Sequence, residues 1–309
     1  MTDPVTLTWN GTTLGTSAIK EYVIRESVST DKGATWSTYQ VVATIASTET
    51  FGSYLITPPN VDGIYVKYSI GVTDVLGGTT AYRVSNTIYR NTKPKIPTVD
   101  APKIGSKTYN NRPICLIQTQ PEPDGQPQTI WVRADGGDWY NSADNPDHFT
   151  TQGSTADGIK TVCFFPSELE EGAHSLVIQI RDEYASGTAV ERVFSVIPAP
   201  FEEILANETH VKARHILDLR TAANTVRNYY NLPAFVWAHE IVPGRTEVRD
   251  WPFHIIELRA AIQGVIDKIN TFDETAQEIR VAPISWIDIG LGRPRADVME
   301  QLAGLIKQL

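Results

Sequence analysis

Two short segments near the C-terminus hold the side chains with most potential for chemistry. The sequence HILDLR at 215–220 recurs 39 residues later as HIIELR at 254–259. A histidine and a carboxylate three residues apart lie on one face of a helix, so two such helices could together offer four ligands to a metal ion. The candidate residues are His215, Asp218, Arg220, His254, Glu257 and Arg259.

The same residues also have a structural interpretation, which we favour. Each carboxylate would pair with a cation one turn away, and each histidine would hydrogen-bond to a backbone carbonyl. Each arginine would tie its helix to an adjoining segment through its forked donor groups. We therefore expect no bound metal and no cofactor.

The repeat predicts a helical region over residues 201–309. A period of 20–50 residues is typical of repeated supersecondary units. Apolar residues spaced by three and four predict helices after Thr209 and Asp250, and a last helix over about 295–309. The stretches between the helices, about 231–250 and 279–294, carry Trp237 and Trp286. The predicted unit is a Trp-containing arm followed by a helix, which occurs twice, and the first helix is predicted to lack an arm.

The rest of the chain has the period of β-strands. In residues 1–91, Val5, Leu7 and Trp9 alternate along one face, as do residues 39–45 and 64–72 at every second position. Residues 98–197 repeat the pattern, with strands predicted at 113–119, 128–134, 159–165, 174–182 and 190–197. Such alternation between turn residues is typical of antiparallel sandwiches. Proline-rich segments at 92–97 and 198–200 mark the predicted boundaries between the three domains.

Composition excludes several classes of protein. The chain has 309 residues, a net charge of -9 and a pI near 5.2, which argues against a nucleic-acid partner. No apolar run is long enough to span a membrane, and the N-terminus lacks the pattern of a secretory signal. Neither a catalytic triad nor a phosphate-binding glycine loop can be singled out, so we expect a protein that is not an enzyme.

The two cysteines, Cys115 and Cys163, both lie in apolar strand-like runs. They could form a disulfide between sheets or remain as two buried thiols. We favour free thiols, because the two runs are predicted to be neighbouring strands of one sheet, where bridging geometry is poor.

Two hairpins combine aspartate, glycine and tryptophan. Residues 29–36 match the Asp-box pattern S-x-D-x-G-x-T-W, and 135–139 repeat its theme. Asp-boxes are familiar from sialidase propellers, but a propeller needs several blades and this chain has one full match. We therefore interpret both hairpins as structural. Their aromatic residues could alternatively stack on sugar rings, which makes Trp36, Tyr39, Trp139 and Tyr140 candidates for glycan or partner binding.

The first 91 residues resemble a fibronectin type III module. The resemblance rests on Trp9, Tyr22, Tyr68 and the closing pair Ser85-Asn86. Only four residues precede Val5, so the usual first strand is missing or very short, and an exposed sheet edge invites pairing. Residues 98–197 resemble an immunoglobulin-like sandwich. The expected fold is therefore multidomain: two all-β sandwiches followed by a small, mainly α-helical repeat region.

This combination of modules resembles tail-fibre and baseplate-associated proteins of bacteriophages and prophages. The resemblance implies a non-enzymatic virion protein, assembled in the bacterial cytoplasm, which spaces or attaches other parts. Its partners would be other tail proteins and further copies of itself. The alternative is a glycan- or surface-binding adhesin module of a secreted or cell-surface bacterial protein.

Overall fold

The structure is a computed structural model in which two compact units follow each other along the chain, Met1–Thr92 and Lys93–Leu309. It describes residues 4–10, 17–59, 61, 63–122, 124–165, 167–201, 211–242, 251–272, 286–287, 289 and 295–309. The first unit ends one residue beyond the boundary predicted at 91.

The first unit is a β-sandwich with a two-stranded and a five-stranded sheet. The smaller sheet pairs β1 with β4, and the larger has the order β3-β2-β5-β6, with β7 also pairing with β5. Ile24, Ile56 and Val66 from both sheets form its core. The strands are β1 (Val5–Asn10), β2 (Ile19–Ser29), β3 (Gln40–Ala46), β4 (Phe51–Ile56), β5 (Ile64–Asp74), β6 (Arg83–Val84) and β7 (Ile88–Arg90).

The predicted alternation is confirmed in β1 and β5 and is wrong for one position of β3. Val41 was expected to share a buried face with Ala43 and Ile45, but its side chain is 59% exposed. The pairing of β3 with β2 shifts register between Ile24 and Arg25. Such an irregularity breaks the period of two, so Val41 no longer follows the face set by the rest of the strand.

The second unit contains a larger sandwich. Its four-stranded sheet has the order β13-β14-β10-β8 and its five-stranded sheet the order β12-β11-β15-β16-β9. The five strands predicted from the sequence are all present. The bounds are β8 (Thr98–Ala101), β9 (Ser106–Thr108), β10 (Ile114–Gln118), β11 (Thr129–Ala134), β12 (Tyr140–Asn141), β13 (Phe149–Ser154), β14 (Gly158–Phe164), β15 (Gly172–Arg181) and β16 (Val190–Val196).

The cysteines are free and face each other on neighbouring strands. Cys115 on β10 is directly opposite Cys163 on β14 in the antiparallel register, as the favoured interpretation predicted. Both are buried, and burial raises the pKa of each thiol. Because the thiolate is the reactive form, the fold suppresses the reactivity of both residues.

We expect both thiols to react with a disulfide reagent only when the second unit opens. In the folded protein, labelling of Cys115 and Cys163 should be limited by unfolding, whereas denatured protein should react at once. Colour release by Ellman's reagent with and without urea measures this. Rapid labelling of the folded protein would contradict the burial of the pair.

Three helices follow the second sandwich: α1 (Ala213–Tyr229), α2 (Trp251–Asn270) and α3 (Ala296–Gln308). The predicted apolar stripes are buried, including Leu219, Val226 and Leu258. Helix α1 begins after Lys212 rather than after Thr209, and both Thr209 and Asp250 lie outside the described residues. None of the described helices is long and apolar enough to cross a bilayer.

The helices and the second sandwich share one hydrophobic core, so the expected boundary at 198–200 does not separate two compact units. Tyr229, at the end of α1, is fully buried, and its ring lies edge-on to Phe194 of β16 at 5.9 Å. Its hydroxyl donates to the Ile114 carbonyl of β10 at 3.2 Å. Near the C-terminus, the Gln308 carbonyl accepts a hydrogen bond from the Asn110 side chain at 2.6 Å. The helical region therefore completes the sandwich.

Candidate functional site

The first repeated arginine lies at the centre of a buried polar network. The Arg220 side chain is 7% exposed and donates to the Glu257 carboxylate at 2.6 Å and to the His239 carbonyl at 2.7 Å. Its guanidinium carbon lies 4.5 Å from the centre of the Trp237 ring. His254 Nδ1 is 3.0 Å from the same guanidinium. Because arginine only donates, this histidine nitrogen is the acceptor.

The partner carboxylate is held by the arm as well as by the arginine. Glu257 Oε1 accepts from the backbone amides of Ala238 and His239, and it lies 2.8 Å from His239 Nδ1. Burial by itself raises the pKa of Glu257, but these hydrogen bonds and the charge of Arg220 lower it overall. The carboxylate is therefore ionised at neutral pH, and both of its oxygens are engaged in joining α2 to the arm and to α1.

The second copy of the repeat makes the same kind of contact. Arg259 donates to the Ile287 carbonyl, and its guanidinium carbon lies 4.9 Å from the centre of the Trp286 ring. In both copies the arginine holds the Trp-containing arm that follows its helix. The predicted unit, an arm followed by a helix, is therefore incomplete. The first arm is held by α2 through Glu257 and also by α1 through Arg220, so α1 has an arm as well.

The metal-ligand candidates are not brought into one cluster. His215 is buried and accepts from the Lys212 amide at 3.2 Å, while Asp218 makes no hydrogen bond or ion pair among the described residues. Glu257 pairs with Arg220 of the preceding helix, not with a cation one turn away as expected. Within the described ranges, no three His, Cys, Asp or Glu side chains are arranged to hold a metal.

The Asp-box residues hydrogen-bond to one another inside their own turn. The Asp31 carboxylate accepts from the hydroxyl and amide of Thr35 and from the Ser29 hydroxyl, and these bonds lower its pKa to about 2. The Gly33 amide donates to the Ser29 hydroxyl at 2.8 Å. The Trp36 indole closes the turn by donating to the Gly33 carbonyl at 3.0 Å. The motif therefore stabilises the conformation of its own hairpin.

A lysine covers the aromatic residues of this hairpin. Lys67 Nζ lies 3.8 Å from the centre of the Trp36 ring and 5.9 Å from that of Tyr39. A cation over a ring occupies the face on which a sugar would stack. Trp36 and Tyr39 therefore share a surface. A sugar could stack on the ring faces that Lys67 covers only if the lysine side chain moved away.

The second hairpin is held by a histidine from outside the turn, where the first hairpin has hydrogen bonds among its own residues. Asp135 adopts a positive φ of 50° and lies 2.7 Å from His174 Nδ1, while His174 Nε2 lies 2.7 Å from the Glu170 carbonyl. Burial lowers the pKa of His174, but these two acceptors outweigh that effect and raise it overall. Only the protonated ring can donate to both acceptors, so the hairpin favours the imidazolium.

We expect this arrangement to make the second unit more stable at acidic pH. Because the folded pKa of His174 exceeds the unfolded value of about 6.5, the extra stability is fully present below pH ~6.5 and is lost as the pH rises through the folded pKa. Urea unfolding at several pH values should show that His174→Gln and Asp135→Asn each remove this pH-dependent contribution to the free energy of unfolding. An unchanged pH profile in either variant would contradict the pair.

Trp139 and Tyr140 point to different surroundings, as neighbours along an extended chain do. Trp139 meets Trp131 edge-on at 6.5 Å, and the guanidinium carbons of Arg133 and Arg181 lie 4.7 and 5.2 Å from its ring centre. Tyr140 packs against the core of the second unit. The two aromatics thus have different neighbours, and glycan or partner binding by them stays a prediction.

A groove of about 450 Å³ lies beside β1 in the first unit. Of the strands that the structure describes, β1 pairs with β4 alone, and residues of β1, β5 and β6 line the groove. Trp9, Tyr68 and Val84 line it, and Arg83 is its one charged lining residue among those described. The groove contains no pairing of a nucleophile with a base within the described residues.

Several side chains of these sites were missed from the sequence. Lys67, Arg133, Arg181 and His239 have no distinguishing motif. Strand parity was the available signal for three of them: Lys67 faces away from Val66, Arg133 shares a face with Trp131, and Arg181 lies on the outward face of β15. His239 lies in an irregular arm, where no period applies.

No protein-family model and no curated protein matches the chain. Similar solved structures include the FN1–FN3 domains of chicken CNTN1, at 17% identity and a TM-score of 0.26 over 68% of this chain and 69% of that one. Dimeric latent PorU from Porphyromonas gingivalis is 13% identical, with a TM-score of 0.26 over 63% of this chain and 22% of that one. The ICAM-5 D1–D4 ectodomain fragment is 12% identical, with a TM-score of 0.36 over 67% of this chain and 53% of that one. The chain thus spans about a fifth of the second protein and about half of the third.

The strand pairing described above is that of immunoglobulin-like and fibronectin type III-like sandwiches, followed by three helices.

Proposed function

We propose that the chain is a non-enzymatic structural component of a bacteriophage or prophage tail, in a fibre or baseplate, where it spaces or attaches other parts. The observation that carries the proposal is the network around Arg220. The residues with most potential for chemistry, Arg220, His254 and Glu257, contact one another and the arm. Their hydrogen bonds are used to hold helices and arm together, as a rigid building block requires.

In this role the protein acts through its surfaces. It would be assembled in the bacterial cytoplasm, and its partners would be other tail proteins and further copies of itself. Apolar side chains that stay exposed on the arm and on α2 offer contact sites: Val236 is 87% exposed, Ile256 54% and Phe253 50%. Association of such residues with a partner removes apolar area from water.

Particle association tests the proposal. After prophage induction in the source strain, an antibody against the chain should label particle tails in electron micrographs, and the chain should sediment with purified particles. Ile256→Glu should abolish both while leaving the melting temperature unchanged. Deletion of 201–309 is a poor test, because it would expose the core of the second sandwich. A chain found only in the soluble or cell-surface fraction would contradict the tail assignment.

The oligomeric state gives a second test of the same proposal. Tail parts generally assemble with rotational symmetry, so light scattering after size exclusion should give a trimer or a larger ring. A mass of 34.2 kDa for the full chain, unchanged with concentration, would favour the adhesin alternative on a bacterial surface.

A further inference from the structure

The outer face of the second unit's five-stranded sheet holds a cluster of aromatic and cationic side chains. Trp131 and Arg133 lie on β11, Trp139 follows in the hairpin, and Arg181 ends β15. The residues between them on these strands, Ile130, Val132 and Ile180, are buried in the core, so the cluster faces the other way. We call these four residues the Arg–Trp cluster.

The two arginines of the cluster adjoin the same ring although they are not opposite each other on the strands. On the antiparallel pair, Thr129 is opposite Arg181 and Trp131 is opposite Gln179. The guanidinium carbons of Arg133 and Arg181 lie 4.7 and 5.2 Å from the Trp139 ring centre. They are therefore separated by at most the sum of these distances. Arg181 also lies 4.0 Å from the centre of the Trp131 ring.

Donors outnumber acceptors in this cluster. Arg181 Nε donates to the Gln179 amide oxygen at 2.9 Å, whereas Arg133 Nε and Trp131 Nε1 are buried without an acceptor. Neither arginine forms an ion pair with any carboxylate in the part of the chain that the structure describes. Arg220 differs, since it has Glu257 as its anion. Arginine has five donors and no acceptor, so the missing partner must be an acceptor, and a charged one fits best.

The presence of two cations favours phosphate over carboxylate. Arg133 and Arg181 both adjoin the Trp139 ring, and Arg181 also adjoins the Trp131 ring, which is inclined to it by 75°. A phosphate offers up to two negative charges and acceptor oxygens in several directions, so it can bind two guanidinium groups. A carboxylate has one charge and two oxygens that share one plane.

We propose that the Arg–Trp cluster is a phosphate-binding site, in which one phosphate group bridges Arg133 and Arg181. The site does not depend on the tail assignment. The phosphate could be free or carried on a polyol or sugar, and the experiment separates these two sources.

The test follows the indole NH signals of the ¹⁵N-labelled full chain, assigned with Trp131→Phe and Trp139→Phe. Inorganic phosphate, glycerol 3-phosphate and acetate are added at constant ionic strength. Saturable shifts of the Trp131 and Trp139 signals with both phosphates are expected, and acetate should bind at least about tenfold more weakly. Tighter binding of glycerol 3-phosphate identifies a carried phosphate, and equal binding identifies the phosphate group itself; both support the site.

Substitutions make the test specific. Arg133→Gln and Arg181→Gln should each weaken phosphate binding by at least about tenfold, because a hydrogen bond to a charged group is lost. Arg181→Lys keeps the charge but loses the forked donor geometry. Its affinity for phosphate should therefore lie between that of the unsubstituted protein and that of Arg181→Gln. Arg25→Gln is the matched control, since Arg25 covers Tyr82 in the first unit at 3.7 Å. Absence of saturable shifts, acetate binding as tight as phosphate, or equal binding by all variants with unchanged melting temperatures would overturn the proposal.

Discussion

Replacing Arg220 with alanine is expected to lower the free energy of unfolding of the second unit by about 3–5 kcal/mol. Breaking a buried ion pair by removing one partner leaves the other charge uncompensated, and this costs an amount of that order. Here the Glu257 carboxylate, 11% exposed, would lose the Arg220 guanidinium at 2.6 Å. The His239 carbonyl would lose its donor, and the Trp237 ring its covering cation.

Urea unfolding monitored by circular dichroism measures the loss. Glu300→Ala is the control, because Glu300 is an exposed residue of α3, where substitutions usually change stability by less than about 0.5 kcal/mol. A loss for Arg220→Ala no larger than that of Glu300→Ala would show that the network contributes little.

Replacing Tyr229 with alanine is expected to destabilise the second sandwich together with the helices. Truncating a buried aromatic residue costs about 3–5 kcal/mol. Tyr229 ends α1 and is fully buried against the sandwich, where its ring contacts Phe194 and its hydroxyl donates to the Ile114 carbonyl. Since the strands and helices share one core, they should unfold in one transition, and that transition should move to lower temperature as a whole.

Calorimetry of the full chain separates this outcome from local damage. The transition of the first unit, Met1–Thr92, should keep its temperature in the Tyr229→Ala variant. Tyr184→Ala is the control within the second unit, since that side chain is 57% exposed. A variant in which the helices melt first, while the sandwich transition stays in place, would instead support three separate domains.

Periodicity in the sequence predicted the elements because each has one buried face. Alternation located β1 and β5, and spacing by three and four located α1 and α2, since removal of apolar side chains from water is the same requirement in each case. Val41 shows the limit of the method: a register shift in the pairing with β2 depends on a partner strand that local periodicity does not include.

The joining of the helices to the second sandwich could not be predicted from the sequence. The prolines at 198–200 interrupt regular structure, which suggested a boundary. They do not determine whether the chain folds back onto what precedes them. That depends on the fit of Tyr229 against Phe194, residues 35 positions apart.

The candidate site was predicted in part. The repeat pointed to Arg220 and Glu257, and the spacing placed each on its helix. The contact of each arginine with the arm that follows its helix was missed, because nothing in the repeat distinguishes an arginine that reaches forward from one that reaches back. The partner of Glu257 was also missed, since pairing between helices depends on how α1 and α2 pack.

The central claim is that the repeated His, Glu and Arg residues brace the fold and are not a metal or reaction centre. A double-mutant cycle between Arg220→Met and Glu257→Gln, measured by urea unfolding with excess zinc and with chelator, tests it most directly. The account predicts a coupling energy of about 1–3 kcal/mol, the same in both conditions. No coupling, or a protein that zinc stabilises unless Glu257 is replaced, would contradict it.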